Sequence, residues 1–298
     1  MIKRTLYFGN PSSLKTRDEQ LVFINLESGE QKTVPIEDIG VVILDHQQII
    51  ISQSLLSKLL GNNVAFITCD NTHHPIGMML NLDGNHLQSQ KFTAQVQASQ
   101  PLKKQLWQQT ISSKIYNQAK LLSKQKIETG NMRRWSEEVR SADSENHEAR
   151  AAAYYWKNLF PEFLNFKRER FGDPPNNLLN YGYAILRATV ARSLVGSGLL
   201  PTLGIHHRNQ YNAYCLADDI MEPYRPYVDE KVLKIVQWNG GFLELTPNMK
   251  KELLEIPVTD VLLDGLRSPL MIAVQRTTAS LAKCFEGEQR KILYPELT

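Results

Sequence analysis

Short apolar runs separated by polar turn residues recur over the first ninety residues, a pattern typical of β-strands. Aromatic and β-branched residues dominate these runs, and Gly, Asn and Pro separate them. Ser52 is placed to cap one short helix over 53–60, which Gly61 ends. The pattern predicts a small β-sandwich or roll. Its predicted strands are 5–8, 21–26, 32–36, 40–44, 64–68 and 76–80.

From about residue 91 the apolar residues recur at helical spacing, as Leu102, Leu106 and Ile111 illustrate. The predicted fold class is therefore α+β. A small N-terminal β-sandwich or roll domain spans 1–90, a larger all-α domain spans 91–298, and the boundary lies near 85–95. The predicted helices are about 102–122, 136–159 with a possible interruption at 141–144, 177–194, 212–221, 229–238, 248–254 and 259–285.

Composition narrows the class of protein. The length of 298 residues and the 42% hydrophobic content allow packed cores and argue against global disorder. No apolar run approaches the roughly 20 residues that a membrane-spanning helix needs. Cys69, Cys215 and Cys284 lie far apart and form neither a C-x-x-C pair nor a disulfide framework. We therefore expect a cytoplasmic protein without a membrane segment.

Positive charge is concentrated in the predicted helical part, although the net charge is only +3. Residues 1–90 hold 6 Lys and Arg against 9 Asp and Glu, whereas 101–140 hold 9 against 3. A basic segment beside an acidic site suggests a polyanionic substrate. The alternative is a solvated helix face that is rich in lysine.

Three acidic residues share one face of a predicted helix that ends near a proline. Asp218 and Asp219 come four and three residues before Glu222, and Pro223 follows. Like charges repel at this spacing, and the C-terminal end of a helix dipole disfavours an anion. A nearby cation would offset both effects, and a histidine fifteen residues upstream of Glu222 can supply a nitrogen ligand. The pattern predicts a divalent-metal site, with a solvated acidic helix end as the alternative.

Two further motifs lie upstream of this cluster. Glu148 opens a run of small residues that lets another helix approach, so we expect it to be half buried, where a carboxylate needs a partner or a metal. The alternative is a solvated glutamate that the helix dipole favours. The run 177–187 carries no charge before Arg187, which is typical of a scaffold helix. Arg187 and Arg192 are candidate phosphate contacts.

These motifs together resemble a known family, the CRISPR-associated spacer-acquisition integrase, the universal subunit that inserts new spacers into CRISPR arrays. The four matching runs begin at Glu148 and at Asn177, and span 198–207 and 219–226. They occur in the family's order, and the resemblance extends over the β-rich part. The amino-acid sequence of residues 216–223 and the compact length of the chain are most like those of the branch found in type II systems.

The resemblance implies a metal site whose ligands are also the catalytic residues: Glu148, His207 and Glu222. Asp219 matches a further acidic position, where it would support a ligand without contacting the metal. Two carboxylates and one imidazole suit Mg²⁺ or Mn²⁺, with open positions for water and phosphate.

The choice between two adjacent histidines follows from the family pattern Gly-x-x-His, which selects His207 over His206. A separate zinc site at Cys69, His73 and His74 would have only a partial ligand set, and we do not expect one.

The implied reaction is phosphodiester transesterification, in which a DNA 3′-hydroxyl attacks a phosphate of the CRISPR repeat. With water as the nucleophile, the same site would act as an endonuclease. The implied partners are double-stranded DNA (spacer precursor and repeat), a second copy of this chain in a homodimer, the small ferredoxin-like second acquisition subunit, and the type II effector nuclease. The cations predicted to contact the DNA backbone are Lys103, Lys104, Arg133, Arg134, Lys167, Arg168 and Arg170.

Two alternative functions share these features. One is a general metal-dependent nuclease that acts on branched or damaged DNA, and the other is a non-catalytic DNA-binding scaffold. The joint presence of Glu148, His207 and Glu222 favours an enzyme over a scaffold.

Overall fold

The N-terminal part of the chain contains two four-stranded sheets. The computed structural model describes residues 3–71, 73, 75–163, 166–239 and 244–298. The strands are β1 (Arg4–Phe8), β2 (Ser12–Arg17), β3 (Gln20–Asn25), β4 (Gln31–Pro35), β5 (Ile39–Leu44), β6 (Ile49–Ile51), β7 (Ala65–Cys69) and β8 (Pro75–Met79). One sheet has the order β1-β5-β7-β8 and is parallel except for β8. The other has the order β4-β3-β2-β6 and is antiparallel except for β6.

The first sheet contributes to a different core on each of its two faces. Val42 and Phe66 belong to a core shared with the second sheet and with α1 (Gln53–Gly61). Their neighbours Val41 and Ile43 belong to the larger core of the helical part. Because side chains alternate along a strand, both cores draw on the same strands.

The rest of the described chain is mostly helical. Its elements are α2 (Gln88–Gln97), α3 (Gln100–Lys124), α4 (Gly130–Glu138), α5 (His147–Leu159), α6 (Asn176–Gly196), α7 (Cys215–Met221), α8 (Arg225–Asn239), α9 (Pro247–Leu253), β9 (Asp260–Leu263), β10 (Leu266–Pro269) and α10 (Leu270–Glu286). The predicted fold class, a β-rich N-terminal part before a mostly helical C-terminal part, is confirmed. Among the described helices, none is long and apolar enough to cross a membrane.

The helix predicted over 259–285 is wrong at its start. β9 and β10 form an antiparallel hairpin there, and α10 begins only at Leu270. Asp264 and Gly265 have φ values of 54° and 71°, which suit the two-residue turn that an Asp-Gly pair favours. Apolar spacing masked this turn signal, so the C-terminal part is mostly rather than wholly helical.

Other boundaries differ from the prediction for local reasons. β2 was not predicted because its sequence is mainly polar, and β6 was not predicted because it has only three residues. The helix predicted over 136–159 is divided by a 3₁₀ turn at Ser141–Asp143, where the sequence indicated an interruption. The Ser52 side chain caps α1 as predicted.

A buried acid joins the first sheet to the helical part. Asp45 follows β5, and its carboxylate accepts hydrogen bonds from three side chains: Tyr7 Oη at 2.6 Å, Lys250 Nζ at 2.6 Å and His73 Nδ1 at 2.9 Å. Lys250 lies on α9, so this ion pair ties α9 to the end of β5. His73 therefore contacts Asp45, and His74 lies outside the described residues.

Candidate functional site

Each acid of the 218–222 cluster has its own partner. Asp218 and Asp219 lie on α7, which ends at Met221, and Glu222 is the next residue. Arg187 Nε donates to Asp218 Oδ1 over 2.6 Å, and Arg225 Nη2 lies 3.0 Å from Glu222 Oε1. All three acids are buried. The structure therefore excludes the solvated helix end and supplies the cations that the spacing required.

Asp219 shapes the loop that carries the predicted histidine ligand. Its Oδ2 accepts hydrogen bonds from the backbone N–H groups of Ile205 and His206, at 2.7 and 3.0 Å. Its Oδ1 accepts from His207 Nδ1 at 2.5 Å. A Cβ at Gly204 would clash with the His207 carbonyl oxygen and lie only 2.7 Å from Asp219 Oδ2, so this close approach requires glycine. Asp219 thus orients the His207 ring through the hydrogen bond to Nδ1.

The two adjacent histidines have different neighbours. The His206 ring stacks on Trp107 with centroids 4.1 Å apart, and burial and His207 lower the pKa of His206. The hydrogen bond to Asp219 raises the pKa of His207 against the opposing effect of burial. In the neutral His207 ring, the Nδ1–H donates to Asp219 and Nε2 carries the lone pair. His207 therefore has a nitrogen that can bind a ligand.

Glu148 lies in the first turn of α5. The Asp143 carboxylate accepts hydrogen bonds from the backbone N–H groups of His147 and Glu148, both at 2.9 Å, and so satisfies two free donors of this helix end. The Glu148 side chain is 28% exposed. The expected half-buried position is thus observed.

One ammonium joins the two glutamates of the predicted site. Lys114 Nζ, on α3, lies 2.7 Å from Glu148 Oε1 and 2.7 Å from Glu222 Oε2. The two carboxylate oxygens are therefore no more than twice that distance apart. Burial acts to raise the pKa of Glu222, but Arg225 and Lys114 outweigh it and hold this pKa below its ordinary value. Burial acts to lower the pKa of Lys114, but Glu222 and Glu148 hold it above its ordinary value.

Another buried acid, Asp229, is linked to Arg225 through Tyr183. Asp229 on α8 accepts hydrogen bonds from Tyr155 Oη at 2.8 Å and from Tyr183 Oη at 2.5 Å. The Arg225 guanidinium lies 4.7 Å from the centre of the Tyr183 ring, within cation–π range. Burial raises the pKa of Asp229 to about 6, although the hydrogen bonds from Tyr183 and Tyr155 act to lower it. Tyr183 thus connects Asp229 to the cation that pairs with Glu222.

The structure brings the predicted metal ligands near one another without assembling them as a ligand set. In the part of the chain that the structure describes, no group of three or more His, Cys, Asp or Glu is arranged to hold a metal ion. The donor atoms still fit Mg²⁺ or Mn²⁺, because Glu148 and Glu222 converge on one cation. His207 also lies near enough to Glu222 to influence its pKa. The position between the carboxylates holds the Lys114 ammonium.

The cations predicted to contact DNA differ in their surroundings. Arg168 donates to Asn176 Oδ1 and Asn180 Oδ1 and lies over the Tyr183 ring, so it also serves the scaffold. Arg192 is buried, and its Nε donates to a backbone oxygen, which leaves it unsuited to a phosphate. The other six cations of the predicted set are also exposed or partly exposed: Lys103, Lys104, Arg133, Arg134, Lys167 and Arg170.

Sequence reasoning missed Lys114 and Arg225, the residues that neutralise the two glutamates. Arg225 could have been found, because it follows Glu222 by three residues in a helical stretch, where i and i+3 side chains meet. Lys114 was only one of the 9 cations in 101–140, and its spacing carried no signal.

The fold matches solved structures over nearly its whole length. A structure titled "Casposase bound to integration product" has a TM-score of 0.81 at 19% identity and covers 98% of this chain and 92% of its own. A Cas1 protein from Thermotoga maritima has a TM-score of 0.77 at 17% identity, and the match covers 96% of this chain and 98% of the Thermotoga chain. The fold therefore defines the class as the two-part α+β architecture of Cas1 and casposase structures.

Sequence comparison identifies the family. The profile described as "CRISPR associated protein Cas1" matches residues 6–240. A "CRISPR-associated endonuclease Cas1" from Neisseria meningitidis is 36% identical over 304 aligned positions, with 100% of this chain and 97% of the relative covered. A second relative with this description, from Saccharolobus solfataricus, is 33% identical over 199 positions, which cover 64% of this chain and 62% of the relative. The chain belongs to the Cas1 family, and the resemblance drawn from its four motifs is confirmed.

The raised pKa of Asp229 predicts a specific pH dependence of stability. The pKa of this carboxyl is 3.8 in the unfolded chain and about 6 in the folded one, so between these values the folded state binds more protons. The free energy of unfolding therefore falls as pH rises through this window, by on the order of 3 kcal/mol. Denaturant unfolding of the wild type and Asp229→Asn from pH 4 to pH 7 should show the wild type losing stability relative to the variant. The exposed Asp264→Asn is the control, and a constant difference for Asp229→Asn would contradict the prediction.

Proposed function

We propose that this chain is a divalent-metal-dependent DNA endonuclease and integrase that inserts new spacers into a CRISPR array by phosphodiester transesterification. One observation carries the proposal: in a chain of the Cas1 family, Glu148 and Glu222 come from different elements and converge on a single cation, and His207 lies near enough to Glu222 to influence its pKa. The Neisseria relative is named an endonuclease, and the casposase structure is titled as bound to an integration product. Both names are consistent with nucleic-acid strand chemistry.

The proposed metal ligands are Glu148, Glu222 and the Nε2 atom of His207. Asp219 would hold the His207 ring in the tautomer that leaves Nε2 free. A bound Mg²⁺ or Mn²⁺ would polarise the phosphoryl oxygen and orient the nucleophile. Oxygen-rich ligands favour these hard cations over zinc.

The protein residues keep this site charged and in place during the reaction. Arg225 keeps Glu222 ionised despite burial, and the Tyr183–Asp229 pair keeps Arg225 against it. In the proposed transfer, the DNA 3′-hydroxyl oxygen bonds to phosphorus as the bond from phosphorus to the leaving oxygen breaks. The proton lost by the first oxygen is returned to the second through solvent, so bonds and charge balance. A covalent protein–DNA intermediate is not needed.

The proposed partners follow from the same family membership. One solved structure of this fold is titled "Cas6-RT-Cas1--Cas2 complex", and another is titled "Crystal structure of TtCas1-DNA complex". We propose that this chain works on double-stranded DNA together with the small second acquisition subunit, and that the type II effector nuclease can join the assembly.

A homodimer through the N-terminal part is proposed from its exposed apolar edge strands. Ile50 lies on β6, at the edge of the second sheet, and is 64% exposed. Ile76 and Met79 lie on β8, at the edge of the first sheet, and are 68% and 47% exposed. Pairing with a second copy would remove apolar surface from water and cover a sheet edge.

The general nuclease is the alternative that shares this site chemistry. Incubating the protein and its small partner with short duplex DNA and a supercoiled repeat plasmid separates the two functions. Joined products support integration, whereas simple cleavage supports the nuclease. Binding without either product supports a non-catalytic scaffold.

Removing any proposed ligand should stop strand joining. Glu148→Gln, His207→Ala and Glu222→Gln should each lower the joining rate at least about a hundredfold, because the phosphoryl charge would lose its stabilising partner. The rate is measured on the repeat plasmid, and circular dichroism checks the fold. Glu145→Gln and His206→Ala are the matched neighbours and should stay active. A fully active ligand variant would remove that residue from the site.

The basic stretch should bind the DNA backbone without sequence preference. Changing Lys103, Lys104, Arg133 and Arg134 to Gln should weaken binding to unrelated duplexes equally. It should also reduce the salt slope by about 0.9 for each phosphate that the protein no longer neutralises, because fewer counterions are released. Fluorescence anisotropy at several salt concentrations measures both effects. Lys15→Gln with Arg17→Gln is the control in the N-terminal part. An unchanged affinity and slope would mean that the stretch is a solvated helix face.

The proposed dimer can be tested by light scattering. The wild type should have about twice the chain mass of 34.0 kDa at micromolar concentration. Ile50→Glu with Ile76→Glu should shift it towards the monomer, because a buried unpaired charge is costly at an interface. Leu266→Glu, exposed in the C-terminal hairpin, should have no effect. A stable wild-type monomer would disprove the dimer.

A further inference from the structure

Lys114 is held between two acids of the proposed catalytic site. Its side chain is 12% exposed, and its ammonium contacts both Glu148 and Glu222 at 2.7 Å. It comes from α3, whereas the two glutamates come from α5 and from the 3₁₀ turn at Glu222–Tyr224. Three separate elements thus meet at one nitrogen atom.

Helix α3 is itself fixed against the turn that carries Glu222. Asn117, three residues after Lys114 on the same helix, is buried, and its Nδ2 donates to the Pro223 carbonyl at 2.8 Å. The same Nδ2 donates to the Pro295 carbonyl at 2.9 Å. Because Pro223 is the neighbour of Glu222, these bonds hold Lys114 next to that carboxylate. The packing of α3 against this turn therefore fixes the contact between Lys114 and Glu222.

The charges at this position are balanced without a metal. Two carboxylates, Glu148 and Glu222, face two cations, Lys114 and Arg225. A divalent cation placed beside both would leave four positive charges against two negative ones in a largely buried site, which is unfavourable. Replacing one ammonium would leave three positive charges against two negative ones. A metal ion is therefore expected to bind in place of one of the two cations.

Lys114 is better placed to leave than Arg225. Besides its ion pair with Glu222, Arg225 lies over the Tyr183 ring, a contact that a bound metal would leave intact. Both ion pairs of Lys114 are with the carboxylates that a metal would bind. A bound metal would therefore replace both of the contacts that hold the Lys114 ammonium. A lysine side chain is flexible, and its charged end can move towards water while its stem remains packed.

We infer that Lys114 is a resident counter-ion that occupies the metal position in the metal-free protein, and that divalent-cation binding displaces it. This inference rests on the proposed function, because it takes Glu148 and Glu222 as the metal ligands. Lys114 then has two effects. It keeps the two carboxylates together before the metal binds, and it lowers the affinity of the site for the metal.

Metal binding to a Lys114→Met variant tests the competition. Mn²⁺ binding, measured by the EPR signal of the free ion, should be at least about tenfold tighter than in the wild type, because a competing positive charge is gone. Without metal, the variant should melt at a lower temperature, and saturating Mn²⁺ should raise its Tm more than that of the wild type. Lys114→Arg keeps the charge and should bind Mn²⁺ no more tightly than the wild type. Lys124→Met is the matched control, because Lys124 lies on the same helix and pairs with Glu230 at 2.8 Å, away from the site.

Labelling of the wild type tests the displacement without any substitution. An amine-reactive reagent, read by mass spectrometry, should modify Lys114 slowly in the metal-free protein and several-fold faster with Mn²⁺. Labelling of Lys124 should not change. This measurement holds even if Lys114→Met fails to fold.

The outcomes separate this inference from the proposed function. Mn²⁺ binding that is lost in Glu148→Gln, together with an unchanged affinity in Lys114→Met or unchanged Lys114 labelling, would overturn the counter-ion role and leave the metal site standing. If Mn²⁺ binds neither the wild type nor Lys114→Met, the metal site and this inference both fail.

Discussion

The burial of Glu222 is the constraint on which the rest of the site depends. An ionised carboxylate removed from water needs opposite charge close by, and Glu222 is only 4% exposed. Lys114 and Arg225 supply that charge from α3 and α8. The packing of these helices against the Glu222–Tyr224 turn is therefore an electrostatic requirement as well as an apolar one. Glu148 joins the arrangement because it shares the Lys114 ammonium.

The same rule operates at the other buried acids of this chain. The Asp219 carboxylate accepts hydrogen bonds from backbone N–H groups and from His207, and this gives the 204–207 loop its shape. Asp45 pairs with Lys250, and this joins the first sheet to α9. Asp229 instead has two tyrosine hydroxyls, and burial raises its pKa to about 6. Buried acids thus connect elements that lie far apart in the chain, and the functional side chains are placed by these connections.

Much of the fold was predictable because local patterns report local structure. Short runs of aromatic and β-branched residues predicted the buried strands, and helical spacing predicted the long helices α3 and α6. The failures have equally local causes. The Asp264–Gly265 turn lies inside a run that also fits a helix, and β2 is a mainly polar strand whose buried half includes two serines. Sheet order and parallel pairing depend on contacts between distant segments, so no single stretch of sequence encodes them.

From the sequence one can recognise most helices and strands, the acidic cluster at 218–222, the Gly204-x-x-His207 spacing and the family of the chain. These features depend on residues that are close in the sequence, where spacing translates directly into geometry. The identity of the cations that neutralise the cluster becomes apparent in the folded chain alone. In the sequence Lys114 belonged to a basic stretch that indicated DNA contacts, and the fold instead places it between two catalytic candidates. A lysine side chain carries the same charge wherever it lies, and only the packing of α3 against α5 and the Glu222 turn determines which acids it meets.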